Sequence, residues 1–237
     1  MTGSRGEVVT VPTDVGQMPA HLWLPPSGRG PGLLLLQEIF GVSAYIQRRG
    51  ADLATAGYVV LAPELYWRLD ATAIDESAPG AIEEAMGRAQ QLDWPTTVQD
   101  AITALRHLKV RNEVSGATGV IGFCFGGGLA FNVAAVAEVD ALVSYYGSAL
   151  PGLLDLAPQV QAPSQYHFGT ADDYLDSETV ATIREAVTSA GTRVEFETYD
   201  SANHAFDNDA FALYHPQAST LAWQRTLAFL DREMPVG

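Results

Sequence analysis

The sequence holds one cysteine, Cys124, among 237 residues, so no disulfide can close within it. That usage suits a reducing compartment, and the expectation is a cytoplasmic protein. Basic residues are also scarce. Lys and Arg number 13 against 28 Asp and Glu, the formal charge is −15, and Lys109 is the sole lysine. Without a basic stripe, and with this net charge, nucleic acid is excluded as a partner, because its phosphates would be repelled. The acidic surplus has a plain use in keeping a globular protein dissolved. Nor is there an apolar run long enough to span a bilayer, and the opening Met1 to Glu7 lacks the apolar core of a secretory signal. No partner in a membrane is expected. Phosphate-cradling glycine motifs do not follow the first parallel strand. No pair of the five histidines has metal-ligand spacing with cysteine or carboxylate, so no metal is expected.

What is present is a chain rich enough to build a core, 47% hydrophobic and 17% charged. Its length fits a single domain over residues 1–237. Glu7–Val11 and Met18–Leu24 read as edge strands around a turn at Asp14-Val15-Gly16, and Pro25–Gly32 reads as a loop by composition. Short apolar runs follow at Leu33–Leu36, Tyr58–Leu61, Gly119–Ile121, Ala141–Val143 and Gln165–Phe168, with a further strand at Val194–Tyr199. Helical patterns near 44–56, 96–109, 125–138, 177–190 and 217–233 separate them. Strands alternating with helices predict an α/β fold with a mostly parallel sheet, covered on both faces and edged by the antiparallel N-terminal strands. Residues 63–95, with a helix expected near 80–91, break the alternation. Such a segment crosses the carboxyl ends of the strands, which makes it a candidate wall or lid.

Cys124 sits in Gly122-Phe123-Cys124-Phe125-Gly126, between an apolar strand and a helix start. Small residues on either side allow a sharp strand-to-helix turn that lifts a nucleophile clear of the backbone. The helix N-terminus favours a thiolate there. The pattern fits the nucleophile elbow of an α/β-hydrolase with cysteine in the place of serine. A buried structural cysteine beside a glycine-rich turn would share the five residues.

A thiol nucleophile needs a base, and the base needs a group to orient it. Downstream, Gly169-Thr170-Ala171-Asp172-Asp173 places two carboxylates after a strand, and Asn203-His204-Ala205-Phe206 places a histidine after the last one. The order Cys124, Asp172, His204 is that of this fold. Aspartate after a strand is also a common turn former, and spacing from Gly169 favours Asp172 over Asp173 without deciding it. His21, His107, His167 and His215 are assigned no chemistry, and His167 reads as a sheet residue. After four leucines, Gln37-Glu38-Ile39 puts a carboxylate where packing does not call for one. Oxyanion donors in this fold come from that loop and from the residue after the nucleophile, which here are the N–H groups of Ile39 and Phe125.

These motifs, with Ala62-Pro63-Glu64-Leu65-Tyr66 and Ser144-Tyr145-Tyr146-Gly147, give a chain that resembles the dienelactone hydrolase family (carboxymethylenebutenolidases) from Gly16 onward. The resemblance implies a monomer without cofactor that acts on a small ester or lactone. It also implies a triad of Cys124, His204 and Asp172, with Glu38 helping to activate the thiol and an acyl-thioenzyme as intermediate. Tyr145 matches a tyrosine that faces the family's pocket. A relative that keeps the fold and only binds ligand is the other reading, since fold does not fix function.

The sequence departs from that family where substrate is held. Two arginines that grip a substrate carboxylate fall near Ile82 and at Asn208, and a tyrosine near the first is replaced by Met86. Neither Ile nor Asn replaces the charge of an arginine fork, so an altered, less anionic substrate is expected. Arg68 and Arg88 are the arginines that could still supply a cation.

Overall fold

A computed structural model describes residues 6–190 and 193–237; Met1 to Arg5, part of the opening stretch discussed above, lie outside it. Eight strands form a mixed sheet in the order β1-β2-β4-β3-β5-β6-β7-β8. They are β1 (Glu7–Thr13), β2 (Gly16–Trp23), β3 (Gly30–Leu36), β4 (Val59–Pro63), β5 (Val114–Phe123), β6 (Leu142–Tyr145), β7 (Ser164–Gly169) and β8 (Val194–Tyr199). Six α-helices alternate with them: α1 (Ala44–Thr55), α2 (Ala81–Ala89), α3 (Trp94–Lys109), α4 (Phe125–Val136), α5 (Ser177–Ser189) and α6 (Pro216–Glu233). The chain gathers into two compact units, one running to Gly119 and including Val236 and Gly237, the other from Val120 to Pro235.

In the first unit β1 pairs with β2 and β2 with β4 antiparallel, while β3 and β4 run parallel. This is the expected antiparallel N-terminal edge. All seven residues of β3 and all five of β4 are buried, as in strands covered on both faces. One expectation is corrected here. Gly30-Pro31-Gly32, read as loop, opens β3. The glycines serve close packing: a Cβ on Gly30 would lie 2.1 Å from the Gly57 carbonyl oxygen. Composition cannot separate that use from a turn. Between β4 and α3 the chain makes a short 3-10 turn at Trp67–Leu69 and then α2, within the range predicted for a helix.

The second unit is the parallel array β6-β7-β8 beside the last residues of β5. Helix α4 is nearly apolar all round, buried from Phe125 to Ala134, which marks a central helix. Helices α5 and α6 instead show one buried stripe each: Val180, Ile183 and Val187 in α5, and Ala222, Thr226, Phe229 and Leu230 among those of α6. His215 caps α6, its Nδ1 accepting from the Ala218 N–H at 3.2 Å.

Candidate active site

The second unit carries Cys124, Asp172 and His204 on the connections that follow β5, β7 and β8. Cys124 lies between β5 and α4 with φ 53° and ψ −115°, a conformation costly for a residue with a side chain and typical of functional corners. Its neighbours make it possible. A Cβ on Gly122 would sit 1.9 Å from the Gly126 oxygen, and one on Gly127 would sit 2.7 Å from the Tyr145 oxygen. Any larger residue would push the turn apart. The Cys124 carbonyl accepts from the N–H groups of Gly127 at 2.9 Å and Ser148 at 3.2 Å.

Asp172 and His204 are held by two loops stitched together. The Ala171 N–H donates to the Ala202 carbonyl at 3.0 Å, that of Thr170 to Tyr199 at 2.9 Å, and that of Ser201 to the Thr170 hydroxyl at 3.0 Å. Gly169 permits the approach, since a Cβ there would lie 2.1 Å from the Ala202 oxygen. One oxygen of Asp172 accepts the N–H groups of Tyr174 and Leu175 at 2.8 and 2.9 Å. The other faces His204 Nδ1 at 2.9 Å. The carboxylate is thus fully satisfied and aimed. Asp173 turns elsewhere, accepting from the Asn203 amide at 2.6 Å, so geometry separates two aspartates that spacing could not.

His204 Nε2 lies 3.1 Å from Cys124 Sγ. All three side chains are buried or nearly so. Burial works against a charged imidazole, but the charge on the sulfur and the bonds to Asp172 and Cys124 outweigh it and push the His204 pKa up to about 10. Two aromatic rings flank the imidazole, Tyr146 at 5.2 Å and Tyr174 at 4.9 Å between centroids. Tyr174 is 57% exposed, leaving its ring open beside the histidine. Neither was singled out from the sequence: their neighbours Asp172 and Tyr145 carry the motifs, and contact with the histidine arises only from the folded loops.

Three other residues singled out above are buried. Tyr145, expected at the pocket, has no exposed surface: its ring stacks on His167 at 4.3 Å and its hydroxyl meets Thr226 at 2.6 Å. Alternation along β6 turns it into the core and leaves the contact with His204 to Tyr146. Asn208 is equally enclosed, its side-chain oxygen accepting the Ala210 N–H at 3.0 Å. That bond shapes a turn. His167 is a sheet residue, bonded to Tyr199 at 2.7 Å and Gln165 at 2.9 Å. Burial and then Arg225 push its pKa down to about 3.

In the first unit Glu38 is buried and Ile39 partly so. Their loop is pinned. The Tyr66 hydroxyl donates to the Ile39 carbonyl at 2.6 Å, the Leu65 N–H to the Gln37 side chain at 3.2 Å, and the Gly41 N–H, from φ 85°, to the Glu38 carbonyl at 3.1 Å. Met86 and Ile82 are exposed on α2. Arg68 grips Asp100 with two bonds of 2.8 and 2.7 Å, while Arg88 binds Glu84 at 2.5 Å and the Thr72 carbonyl. Among the described residues no three His, Cys, Asp or Glu side chains are grouped to hold a metal ion. No helix there is long and apolar enough to cross a membrane.

Similarity to known proteins identifies the family. The model of the dienelactone hydrolase family matches residues 18–234. A carboxymethylenebutenolidase of a Pseudomonas species is 34% identical over 94% of this chain and 93% of its own. That of Pseudomonas putida is 33% identical over 87% of each. A crystal structure from Klebsiella pneumoniae, provisionally assigned as a dienelactone hydrolase, superposes with TM-score 0.83 at 28% identity, covering 96% of this chain and 98% of that one. A dienelactone hydrolase-like promiscuous phosphotriesterase from metagenomic libraries shares the fold, with TM-score 0.78 at 22% identity over 98% of each chain. The chain therefore belongs to the dienelactone hydrolase family, with its α/β-hydrolase fold, and is a hydrolase acting on esters or lactones.

Proposed function

We propose that Cys124 is the nucleophile of this hydrolase and that turnover passes through an acyl-thioenzyme. The observation that carries the reading is the imidazole of His204 bridging Cys124 Sγ at 3.1 Å and Asp172 at 2.9 Å. The thiolate adds to the ester or lactone carbonyl, and the carbonyl electrons move to oxygen. As the intermediate collapses, the C–O bond to the leaving group breaks and His204 hands a proton to the departing oxygen. Water then adds to the thioester with His204 as base, and the C–S bond breaks to return the thiolate. Asp172 holds the ring orientation and stabilises the imidazolium.

The developing oxyanion is assigned to the N–H groups of Ile39 and Phe125. Phe125 opens α4 directly after the nucleophile, where helix N–H groups point out of the helix end. The roles of Ile39 and of Glu38 in activating the thiol rest on their motif. The pinned loop supports them by fixing the backbone on which an oxyanion donor depends. The reading treats the chain as one catalytic domain, as a single family match across both units supports.

An uncharged or weakly anionic substrate is the preference we infer. Ile82 and buried Asn208 stand where the family's carboxylate-binding arginines would fall, and Arg68 and Arg88 are engaged by acidic neighbours. The test is hydrolysis of dienelactone, followed by ultraviolet absorbance, beside a neutral aryl ester, for wild type and Cys124→Ala. Loss of at least about a thousandfold in the variant is expected, with the neutral ester the better substrate. Activity surviving in Cys124→Ala would end the nucleophile assignment, and fast dienelactone turnover would end the substrate preference.

A further inference from the structure

Cys124 Sγ has a second polar neighbour. On the connection after β6 the Ser148 hydroxyl lies 3.8 Å from the sulfur, and the Ser148 N–H is tied to the Cys124 carbonyl at 3.2 Å. Nucleophile and serine are therefore fixed to each other through backbone as well as side chain. Among the described residues the sulfur is the one partner of that hydroxyl. His204 and Ser148 each hold a polar atom at the sulfur, and a hydroxyl can turn its proton either way. A neutral thiol donates S–H to Ser148 Oγ. A thiolate, which has lost its proton, accepts O–H from Ser148 together with N–H from His204.

Resting on the reading of Cys124 as nucleophile, we propose that Ser148 is a catalytic residue that donates a hydrogen bond to the thiolate, chiefly when the thiolate departs from the acyl-enzyme. In that step the oxygen of water forms a bond to the thioester carbon, and its proton passes to His204. The C–S bond then breaks with its electron pair going to sulfur. Ser148 donates to that sulfur without giving up its proton. While the acyl group is attached, the sulfur is neutral and a poor acceptor. The bond therefore strengthens as charge returns, which lowers the barrier to deacylation instead of merely binding the acyl-enzyme.

Cys124 is the only cysteine, so iodoacetamide reports on this sulfur alone among the thiols. Within its unit the titratable group at the sulfur is His204, backed by Asp172 and flanked by Tyr146 and Tyr174; all are retained in the variants. In Ser148→Ala the midpoint of alkylation against pH should move up by about one pH unit, and deacylation of an acetyl-enzyme formed from p-nitrophenyl acetate should slow about tenfold. The burst of nitrophenolate should stand out against the slower steady rate. Ser148→Thr, which restores the hydroxyl, should recover both. An alkylation profile and deacylation rate equal to wild type in a Ser148→Ala protein that melts normally would overturn the proposal. So would failure of Ser148→Thr to recover either while folded. That failure is distinct from failure of the nucleophile itself, which Cys124→Ala reads separately.

Discussion

Two adjacent aspartates, Asp172 and Asp173, show what a sequence carries at the scale of residues. The spacing G-x-x-D leans toward the first. What selects it is the accepting of two backbone N–H groups by one oxygen, which leaves the other for His204. Asp172→Asn should therefore lower kcat/KM by at least about a hundredfold, because an amide cannot hold an imidazolium as a carboxylate does. Asp173→Asn should stay within about threefold of wild type, since its carboxylate meets the Asn203 amide and not His204. Steady-state assays of both variants decide it, and equal losses would contradict the geometry. The meeting of Cys124, Asp172 and His204 was legible because their places just past strand ends, in the order this fold uses, are written in local motifs. Tyr174 was not, since an exposed aromatic in a loop has no local signature and its place against His204 depends on two loops meeting. Tyr145 and Asn208 are buried where their motif positions suggested a pocket wall, because a motif position says nothing of which way a side chain turns.

At the scale of elements, periodicity found the helices within a few residues and the parallel strands by their apolar runs. It failed at Gly30-Pro31-Gly32, where glycine serves packing in a buried strand. The same distinction yields a prediction with opposite signs. At Gly122 an added methyl meets the Gly126 oxygen at 1.9 Å, whereas at Gly87 in α2 it meets nothing within 4 Å. Gly122→Ala should cost more than about 4 kcal/mol, as strain at a buried strand-to-helix corner does. Gly87→Ala should add about 0.5–1 kcal/mol through helix propensity. Urea denaturation measures both, and a tolerated Gly122→Ala would show that the corner can relax.

For the molecule as a whole, the acid limit of stability has an identifiable contributor. His167, wholly buried among Tyr199, Gln165 and Thr226, has a pKa lowered to about 3 by burial and then Arg225. The unfolded chain binds its proton near the ordinary value of about 6.5. Between those values the unfolded state holds more protons, so stability rises with pH there. The contribution is complete above about pH 6.5 and is lost as pH falls toward 3. Urea midpoints should decline across that window, and less steeply in His167→Gln even if that variant is weaker at pH 7. Identical slopes would remove His167 as the cause.

The lone thiol at the strand-to-helix corner also sets how this enzyme meets oxidants. A thiolate paired with an imidazolium is the form that peroxide attacks, giving a sulfenic acid. With no second cysteine anywhere in the 237 residues, that sulfenic acid has no internal thiol with which to form a protective disulfide. Recovery falls to thiols supplied from outside, and without them a second oxidation to sulfinic acid is irreversible. On the proposed reading of Cys124 as nucleophile, the residue that carries the chemistry is then also its fuse, and the thiol content of the surroundings sets how long each molecule stays active.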